Sequence, residues 1–115
     1  MATQRMKAKE YRQQRAAKRC AMVASVEATD MATQTRLTAR ISELAIGGCY
    51  IDALNPFPVG TVLHLRILRD RGTFEAKGKV VYCDSTIGMG VAFTEIAPAQ
   101  RSVLEDWLAE IVKPA

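Results

Sequence analysis

LHLRILRDRGTFEAKGKVVYC, residues 63–83, contains two segments in which apolar side chains recur at every second position. This period is that of a β-strand with one buried face, because successive side chains point to opposite sides of a sheet. The triplet Asp70-Arg71-Gly72 separates the segments and is typical of a turn. The stretch therefore predicts a β-hairpin. Its predicted inward residues are Leu63, Leu65 and Ile67 on the first strand, and Phe74, Ala76, Gly78, Val80 and Tyr82 on the second.

The same alternation continues on both sides of this hairpin. In the last alternating segment, Gly88 and Gly90 lie on the outward side, where they allow barrel curvature or the close approach of another backbone. The further strands predicted in this way are 21–26, 36–42, 49–51 and 88–93, and a loop is predicted at 55–60 because that segment contains two prolines.

Near the C-terminus the period changes from two to that of a helix. Pro98 stands where the first turn of a helix tolerates proline, and acidic residues lie outside a single apolar stripe. Six strands followed by one helix predict an all-β domain, a small antiparallel barrel or sandwich with one end covered by the helix. The residues of the stripe are Val103, Leu104, Trp107, Leu108, Ile111 and Val112.

The composition is that of a single globular domain. At 115 residues, with 49% hydrophobic and 24% charged residues, the chain can bury one core and has little room for a second. It lacks the roughly 20 consecutive apolar residues of a membrane span, and no apolar run follows its first positive charges, so we expect no span and no secretory signal. The widely spaced Cys20, Cys49 and Cys83 are interpreted as reduced core residues of a cytoplasmic protein.

Positive charge is concentrated at the N-terminus. The net charge is +4, and residues 1–19 carry seven basic side chains against the single acid Glu10, a balance of +6 that leaves −2 for residues 20–115. This distribution favours an anionic partner, although a solvated terminus that only aids solubility would have the same composition. The segment has good helix formers but no apolar stripe, so we expect a basic leader that is mobile until a partner orders it.

Catalytic motifs are not apparent in the sequence. His64 is the only histidine and alternates onto the outer face of a predicted strand, the carboxylates are scattered, and no Walker or GxGxxG phosphate loop occurs. The cysteines and the histidine also lack the clustered spacing of a metal site. We therefore expect neither an enzyme nor a metal protein.

Two local features are candidate binding elements. Arg15 and Arg19 stand four residues apart just before the first predicted strand, and guanidinium groups can bind phosphate, pair with guanine or stack on a base. Glu43 follows the second strand, and Gly47 and Gly48 after it let a ligand approach the backbone. Because a carboxylate can accept hydrogen bonds from the N1–H and N2–H groups of guanine, both features can serve the same nucleotide.

In this order, the features resemble a PilZ domain, the bacterial receptor module for cyclic di-GMP. The family has an RxxxR pair before the first barrel strand, matched by Arg15 and Arg19, and a (D/N)xSxxG motif after the second, which aligns with Glu43, Ala45 and Gly48 in ELAIGGCYI. The resemblance continues through VGTVLHLRI, GKVVY, GMGVAF and RSVLEDWLAEI. It implies a six-stranded antiparallel β-barrel with a basic N-terminal arm and a C-terminal helix. Residues 12–112 would form this single domain, after a mobile basic leader of residues 1–11.

The resemblance also implies a function. Arg15 and Arg19 would hold guanine and phosphate groups of cyclic di-GMP, while Glu43, Ala45 and Gly48 would hold the ligand from the barrel surface, so that the nucleotide clamps the arm onto the barrel. No cofactor or metal is implied. Glu43 is one methylene longer than the Asp of the pattern, and Ala45 lacks the hydroxyl of Ser. We expect weakened rather than abolished binding, because a lost hydrogen bond costs about 1–3 kcal/mol while the charge-assisted arginine contacts remain.

The altered second motif favours an alternative function. PilZ-like domains with impaired motifs act as protein adaptors, so the chain can also be interpreted as a module that binds protein partners independently of cyclic di-GMP. A downstream protein partner is expected in either case. Nonspecific nucleic-acid binding through the leader is a weaker hypothesis, because it usually requires exposed aromatic residues on a sheet face and the body of the protein is net negative.

Overall fold

The strands form a closed barrel. The computed structural model describes residues 20–112, and six antiparallel strands in that range close in the order β1-β2-β3-β6-β5-β4, with β4 pairing back onto β1. The predicted all-β barrel with a C-terminal helix is confirmed. The elements are β1 (Cys20–Asp30), β2 (Arg36–Ala45), β3 (Gly48–Asp52), β4 (Val62–Arg69), β5 (Gly72–Asp84), β6 (Gly88–Glu95) and α1 (Pro98–Val112).

Alternating apolar side chains fill the barrel. In β4, Leu63, Leu65 and Ile67 are fully buried, whereas the residues between them face outward, as a period of two predicts. The fully buried ring of Phe74 lies edge-to-face with Phe93 at a centroid distance of 5.3 Å. β4 pairs antiparallel with β5, so the hairpin predicted from residues 63–83 is present.

One end of the barrel is covered by α1. Leu104 is fully buried in the core, and the ring of Trp107 lies 6.3 Å from that of Phe74. The predicted apolar stripe of the helix thus packs on the barrel. We call the end of the barrel that α1 covers the helix end; it also contains the β2–β3 turn (46–47) and the β4–β5 turn (70–71). Of the other stripe residues, Val103 and Leu108 are partly buried, and the side chains of Ile111 and Val112 lie outside the described part of the structure.

The opposite end, which we call the loop end, consists of the connections 31–35, 53–61 and 85–87. The β3–β4 connection crosses this opening, because β3 and β4 are not neighbours in the barrel. Within it, Phe57 packs against the core, and the amide of Gly60 donates a hydrogen bond of 2.8 Å to the carbonyl of Val80. The barrel is therefore closed by a helix at one end and by a connection at the other.

Two predictions for β5 are wrong. Tyr82 does not continue the inward series, because the pairing of β5 with β6 shifts register between Val80 and Tyr82, and the ring packs against Tyr50 on the outside of the barrel. Cys83 is exposed rather than part of the core, since it lies one residue before the end of β5, next to an exposed turn. Cys49 is buried in the core as predicted, and the side chain of Cys20 lies outside the described part.

Candidate functional site

The second predicted motif lies on the outer wall of the barrel at the helix end. Glu43 and Ala45 flank Leu44 in β2. Because Leu44 is fully buried in the core, the side chains of Glu43 and Ala45 face away from the core. Glu43 is half-buried and Ala45 is only 2% exposed. Gly48 begins β3 directly opposite Ala45, and on its other side it pairs with Ala92 of β6. The structure therefore brings the three predicted barrel-side residues together in one patch.

The first strand begins beside this patch. Cys20, the first residue of β1, pairs with Leu44, which lies between the two motif residues of β2. The predicted arginine pair, Arg15 and Arg19, precedes Cys20 in the sequence and lies outside the described residues. The point at which the chain enters the barrel is thus adjacent to the second motif.

A pair of tyrosines extends the patch across the neighbouring strands. Tyr50 of β3 lies directly opposite Glu43, and the centroid of its ring is 6.1 Å from that of Tyr82 in β5. Both side chains are buried, and the hydroxyl of Tyr50 donates a hydrogen bond of 2.8 Å to Oδ2 of Asp84. A hydrogen bond to a carboxylate is stronger than one between neutral groups, so it fixes the orientation of the Tyr50 ring. Glu43 therefore stands next to a buried tyrosine ring of fixed orientation.

Two glycines of β6 make room for these rings. A Cβ at Gly88 would stand 2.7 Å from Cε2 of Tyr50, and a Cβ at Gly90 would stand 2.7 Å from Cζ of Tyr82. The predicted close approach of another backbone is confirmed at Gly88, where the carbonyl oxygen of Ile51 is also in the way of a Cβ. At Gly90 the approaching group is an aromatic ring instead. The outward glycines of GMGVAF are thus required by the tyrosine pair.

The tyrosine pair was not predicted as part of this wall. From sequence, Tyr50 is assigned only to a short strand and Tyr82 to the core. The available signal was the pair of outward glycines, which leaves a gap on the sheet that bulky neighbours can cover. The side chains that cover it depend on the strand register, which the alternation alone does not determine.

Charged side chains pair on the wall formed by β4, β5 and β6. His64 lies on the outer face, as predicted, with Nε2 3.3 Å from Oε1 of Glu75, and Lys77 Nζ lies 3.6 Å from Oε1 of Glu95. Exposed pairs of this kind contribute little to stability. Among residues 20–112, no three potential metal ligands cluster, and no helix has the length and apolar character needed to cross a membrane.

The family relationship follows from the chain as a whole. The model of the PilZ domain matches residues 13–110. The chain belongs to the PilZ domain family. PilZ domains are non-enzymatic receptor and adaptor domains, so the resemblance noted from sequence and the prediction that the chain is not an enzyme are confirmed. No curated protein matches the chain by sequence.

Solved structures, among them two PilZ domains, share the fold at low sequence identity. The PilZ domain of YcgR from Escherichia coli, with c-di-GMP, is similar with a TM-score of 0.68 at 14% identity, over 81% of this chain and 87% of that one. The PilZ domain of CeSA from a cellulose-synthesizing bacterium has a TM-score of 0.65 at 15% identity, over 80% and 95%. For the inhibitor of motility MotI/DgrA from Bacillus subtilis the TM-score is 0.67 at 17% identity, over 81% and 48%. This chain therefore spans about half the length of MotI.

Proposed function

We propose that the protein is a cyclic di-GMP-binding regulatory domain, in which the nucleotide holds the N-terminal arginine pair against the outer wall of the barrel. The observation that carries the proposal is the pairing of Cys20 with Leu44, because it joins the segment that contains the arginines to the strand that contains the second motif. PilZ membership, and the c-di-GMP in the similar YcgR structure, support the same ligand. The proposed ligand contacts are Arg15 and Arg19 on the arm, and Glu43, Ala45 and Gly48 on the barrel.

The covalent chain limits the distance between the arginines and the motif. Consecutive Cα atoms are about 3.8 Å apart, and an extended chain advances at most about 3.6 Å per residue. The Cα of Arg19 is therefore within about 4 Å of that of Cys20, and the Cα of Arg15 within about 18 Å. The length of the chain therefore allows both side chains to reach a ligand placed on the motif.

Each group in the proposed site has its own role. The guanidinium groups donate paired hydrogen bonds to phosphate oxygens and stack on a base. The carboxylate of Glu43 accepts hydrogen bonds from N1–H and N2–H of guanine, and Gly48 lets the ligand approach the backbone of β3. Ala45 contributes only a methyl group, so the site lacks the hydroxyl of the family's serine.

Calorimetric titration of the full chain with cyclic di-GMP tests the proposal. We expect saturable binding, which Arg15→Ala or Arg19→Ala should weaken by about 10- to 100-fold, because a hydrogen bond to a charged group contributes about 1.5–3 kcal/mol. Arg36→Ala is the matched control, since Arg36 is an exposed arginine at the loop end, and it should leave the affinity unchanged. An absence of binding heat at high micromolar protein would contradict the proposal. An equal loss of cyclic di-GMP affinity in the Arg36→Ala control and in the arm variants would contradict it as well.

A protein adaptor that acts without the nucleotide is the second candidate function. The observation that favours it is Ala45, which is buried and has no hydroxyl. The adaptor hypothesis predicts a partner that is recovered equally well with and without cyclic di-GMP, and recovery that depends strongly on the nucleotide would count against it. A downstream partner, domain boundaries at 12–112 and a cytoplasmic location stay predictions.

A further inference from the structure

Two aromatic rings on the outside of the barrel are almost completely buried. Tyr50 lies between two fully buried core residues of β3, so its ring faces outward, yet the residue is only 5% exposed. Tyr82, which packs against the same ring, is 6% exposed. Outward side chains elsewhere on the barrel are far more accessible, since those of His64 in β4 and Lys77 in β5 are 42% and 48% exposed. The outer face around the tyrosines is therefore shielded from water in a way that other outer faces are not.

The neighbouring side chains on this face are too small to provide that shielding. The two ring centroids are 6.1 Å apart at an interplanar angle of 37°, so each ring covers only one side of the other, and Val81 is the partly buried side chain packed against them. Ala45 faces the same way and is 2% exposed, although the residue directly opposite it is Gly48. The low exposure of these outward residues indicates that a further segment lies over this face.

Strand pairing fixes the charges on this face. Two cross-strand rows run over β2, β3, β6 and β5, and we call them the tyrosine wall. The rows are Glu43, Tyr50, Gly90 and Tyr82, and next to them toward the loop end Arg40, Asp52, Gly88 and Asp84. Three carboxylates and one guanidinium give the tyrosine wall a charge of −2. The adjacent row toward the helix end ends at Lys79 and adds one positive charge.

The centre of the tyrosine wall suits a cationic segment. Glu43 lies directly opposite Tyr50, and Asp84 accepts the hydrogen bond from the Tyr50 hydroxyl, so a carboxylate stands on each side of this ring. The face of an aromatic ring attracts Lys and Arg, and their alkyl stems pack on apolar surface while the charged group stays in contact with water or a carboxylate. Aromatic and acidic groups on this wall therefore favour the same kind of occupant.

The basic leader is long enough to reach the tyrosine wall. Ala21 pairs with Glu43, so it stands in the same row as Tyr50, two strands away, or about 10 Å at the usual strand spacing of about 4.8 Å. Tyr82 is four strands away, about 19 Å along the sheet, a distance that about six extended residues span. The residues before the arginine pair, 1–14, carry four basic side chains against the single acid Glu10, a balance of +3.

We propose that residues 1–14 lie across the tyrosine wall in the nucleotide-free protein, held by the complementary charge and by contact of their Lys and Arg side chains with the two rings. The barrel itself is then the partner that orders the leader. Arg15 and Arg19 connect the docked segment to β1, so they are held beside the second motif before a ligand arrives. This consequence for the ligand rests on the proposed cyclic di-GMP function, whereas the docking does not.

NMR of the full chain without nucleotide tests the docking. We expect nuclear Overhauser effects (NOEs) between residues 1–14 and the rings of Tyr50 and Tyr82, with backbone order parameters in that segment above the value of about 0.6 that marks flexible backbone. Asp84→Asn removes one charge but keeps an oxygen that accepts from the Tyr50 hydroxyl, and it should lower both the NOE intensities and the order parameters. Glu95→Gln is the matched control, because it removes one negative charge from an exposed ion pair outside the tyrosine wall, and it should change neither.

Order parameters below about 0.6 throughout residues 1–14 of the unmodified chain, without NOEs to the two rings, would overturn the docking. NOEs from the leader to His64 or Lys77 instead of the tyrosines would overturn it too, and so would equal losses in the Asp84→Asn and Glu95→Gln variants.

Calorimetric titration of the same variants with cyclic di-GMP tests the consequence for the ligand. Asp84→Asn should weaken binding by about threefold to tenfold, because only the docked fraction of the protein holds the arginine pair in place, and Glu95→Gln should not. Unchanged affinity in Asp84→Asn would contradict the role of docking in ligand binding. If the unmodified chain binds no cyclic di-GMP, the proposed function fails, and the NOEs of the nucleotide-free chain still decide whether the leader is docked.

Discussion

Replacing Gly90 with alanine should lower the free energy of unfolding by about 2–4 kcal/mol. The added Cβ would stand 2.7 Å from Cζ and 2.8 Å from Cδ1 of Tyr82, whereas carbon atoms in favourable contact are about 3.5–4.0 Å apart. The Tyr82 ring must therefore move by roughly 1 Å, and forcing an additional carbon into a packed site costs about 1–3 kcal/mol. Displacing the ring from Tyr50 removes an aromatic contact that contributes about 0.5–1.5 kcal/mol.

Urea unfolding measures this loss, with the fluorescence of Trp107, the single tryptophan of the chain, as the probe. Gly47→Ala is the matched control, because a Cβ at Gly47 meets no atom within 4 Å. It should change the free energy of unfolding by no more than about 0.5 kcal/mol, as surface substitutions usually do. The slope of the unfolding free energy against urea concentration should be the same for all variants, so that a change in the urea midpoint reports a change in stability alone.

A double-mutant cycle with Tyr82→Ala tests the cause. Without the ring there is nothing for the new Cβ to meet, so Gly90→Ala should cost less than about 0.5 kcal/mol in that background, a coupling of at least about 1.5 kcal/mol. An equal cost in both backgrounds would refute the reasoning, because the ring would then not be the obstacle. Equal stability of the Gly90→Ala and Gly47→Ala variants would refute it as well, since Tyr82 would not lie over Gly90.

Three further predictions concern the core, the outer wall and the nucleotide site. Phe74→Ala should lower the free energy of unfolding by about 3–5 kcal/mol in urea, because it empties a fully buried site beside Phe93; a loss below about 1 kcal/mol would contradict its place in the core. Tyr50→Phe should cost about 1–2 kcal/mol in the same assay, because it removes the hydrogen bond to Asp84; an unchanged midpoint would show that this bond does not contribute. Ala45→Ser should raise the calorimetric affinity for cyclic di-GMP by about 5- to 10-fold, and an unchanged affinity would argue against a ligand contact at this position.

The parts of the fold that depend on local patterns were predictable. The hairpin of residues 63–83 follows from side chains that alternate between a buried and an exposed face, and the C-terminal helix from an apolar stripe that includes Leu104 and Trp107. Both patterns arise because one face of the strand or helix is buried, and each pattern can be read within the sequence of its own segment.

Features that depend on how strands pair were not predictable. Tyr82 faces outward because one register shift in the β5–β6 pairing interrupts the alternation, and no residue type near it signals that shift. For the candidate site, motif spacing correctly indicated a common location for Glu43, Ala45 and Gly48, because a tight turn joins β2 to β3. The contact of Tyr50 with Asp84 joins residues far apart in the chain, and only the closed barrel brings them together.

An NMR titration of the full chain with cyclic di-GMP tests the central claim most directly, because it reports on the arm and the barrel wall in one experiment. We predict that the amide chemical shifts of residues 15–19 and 43–48 change together, with one shared dissociation constant. The amide chemical shifts of the loop end, at 31–35 and 85–87, should stay unchanged. Shifts in only one of the first two segments, or in neither at saturating nucleotide, would contradict a ligand held between the arm and the barrel.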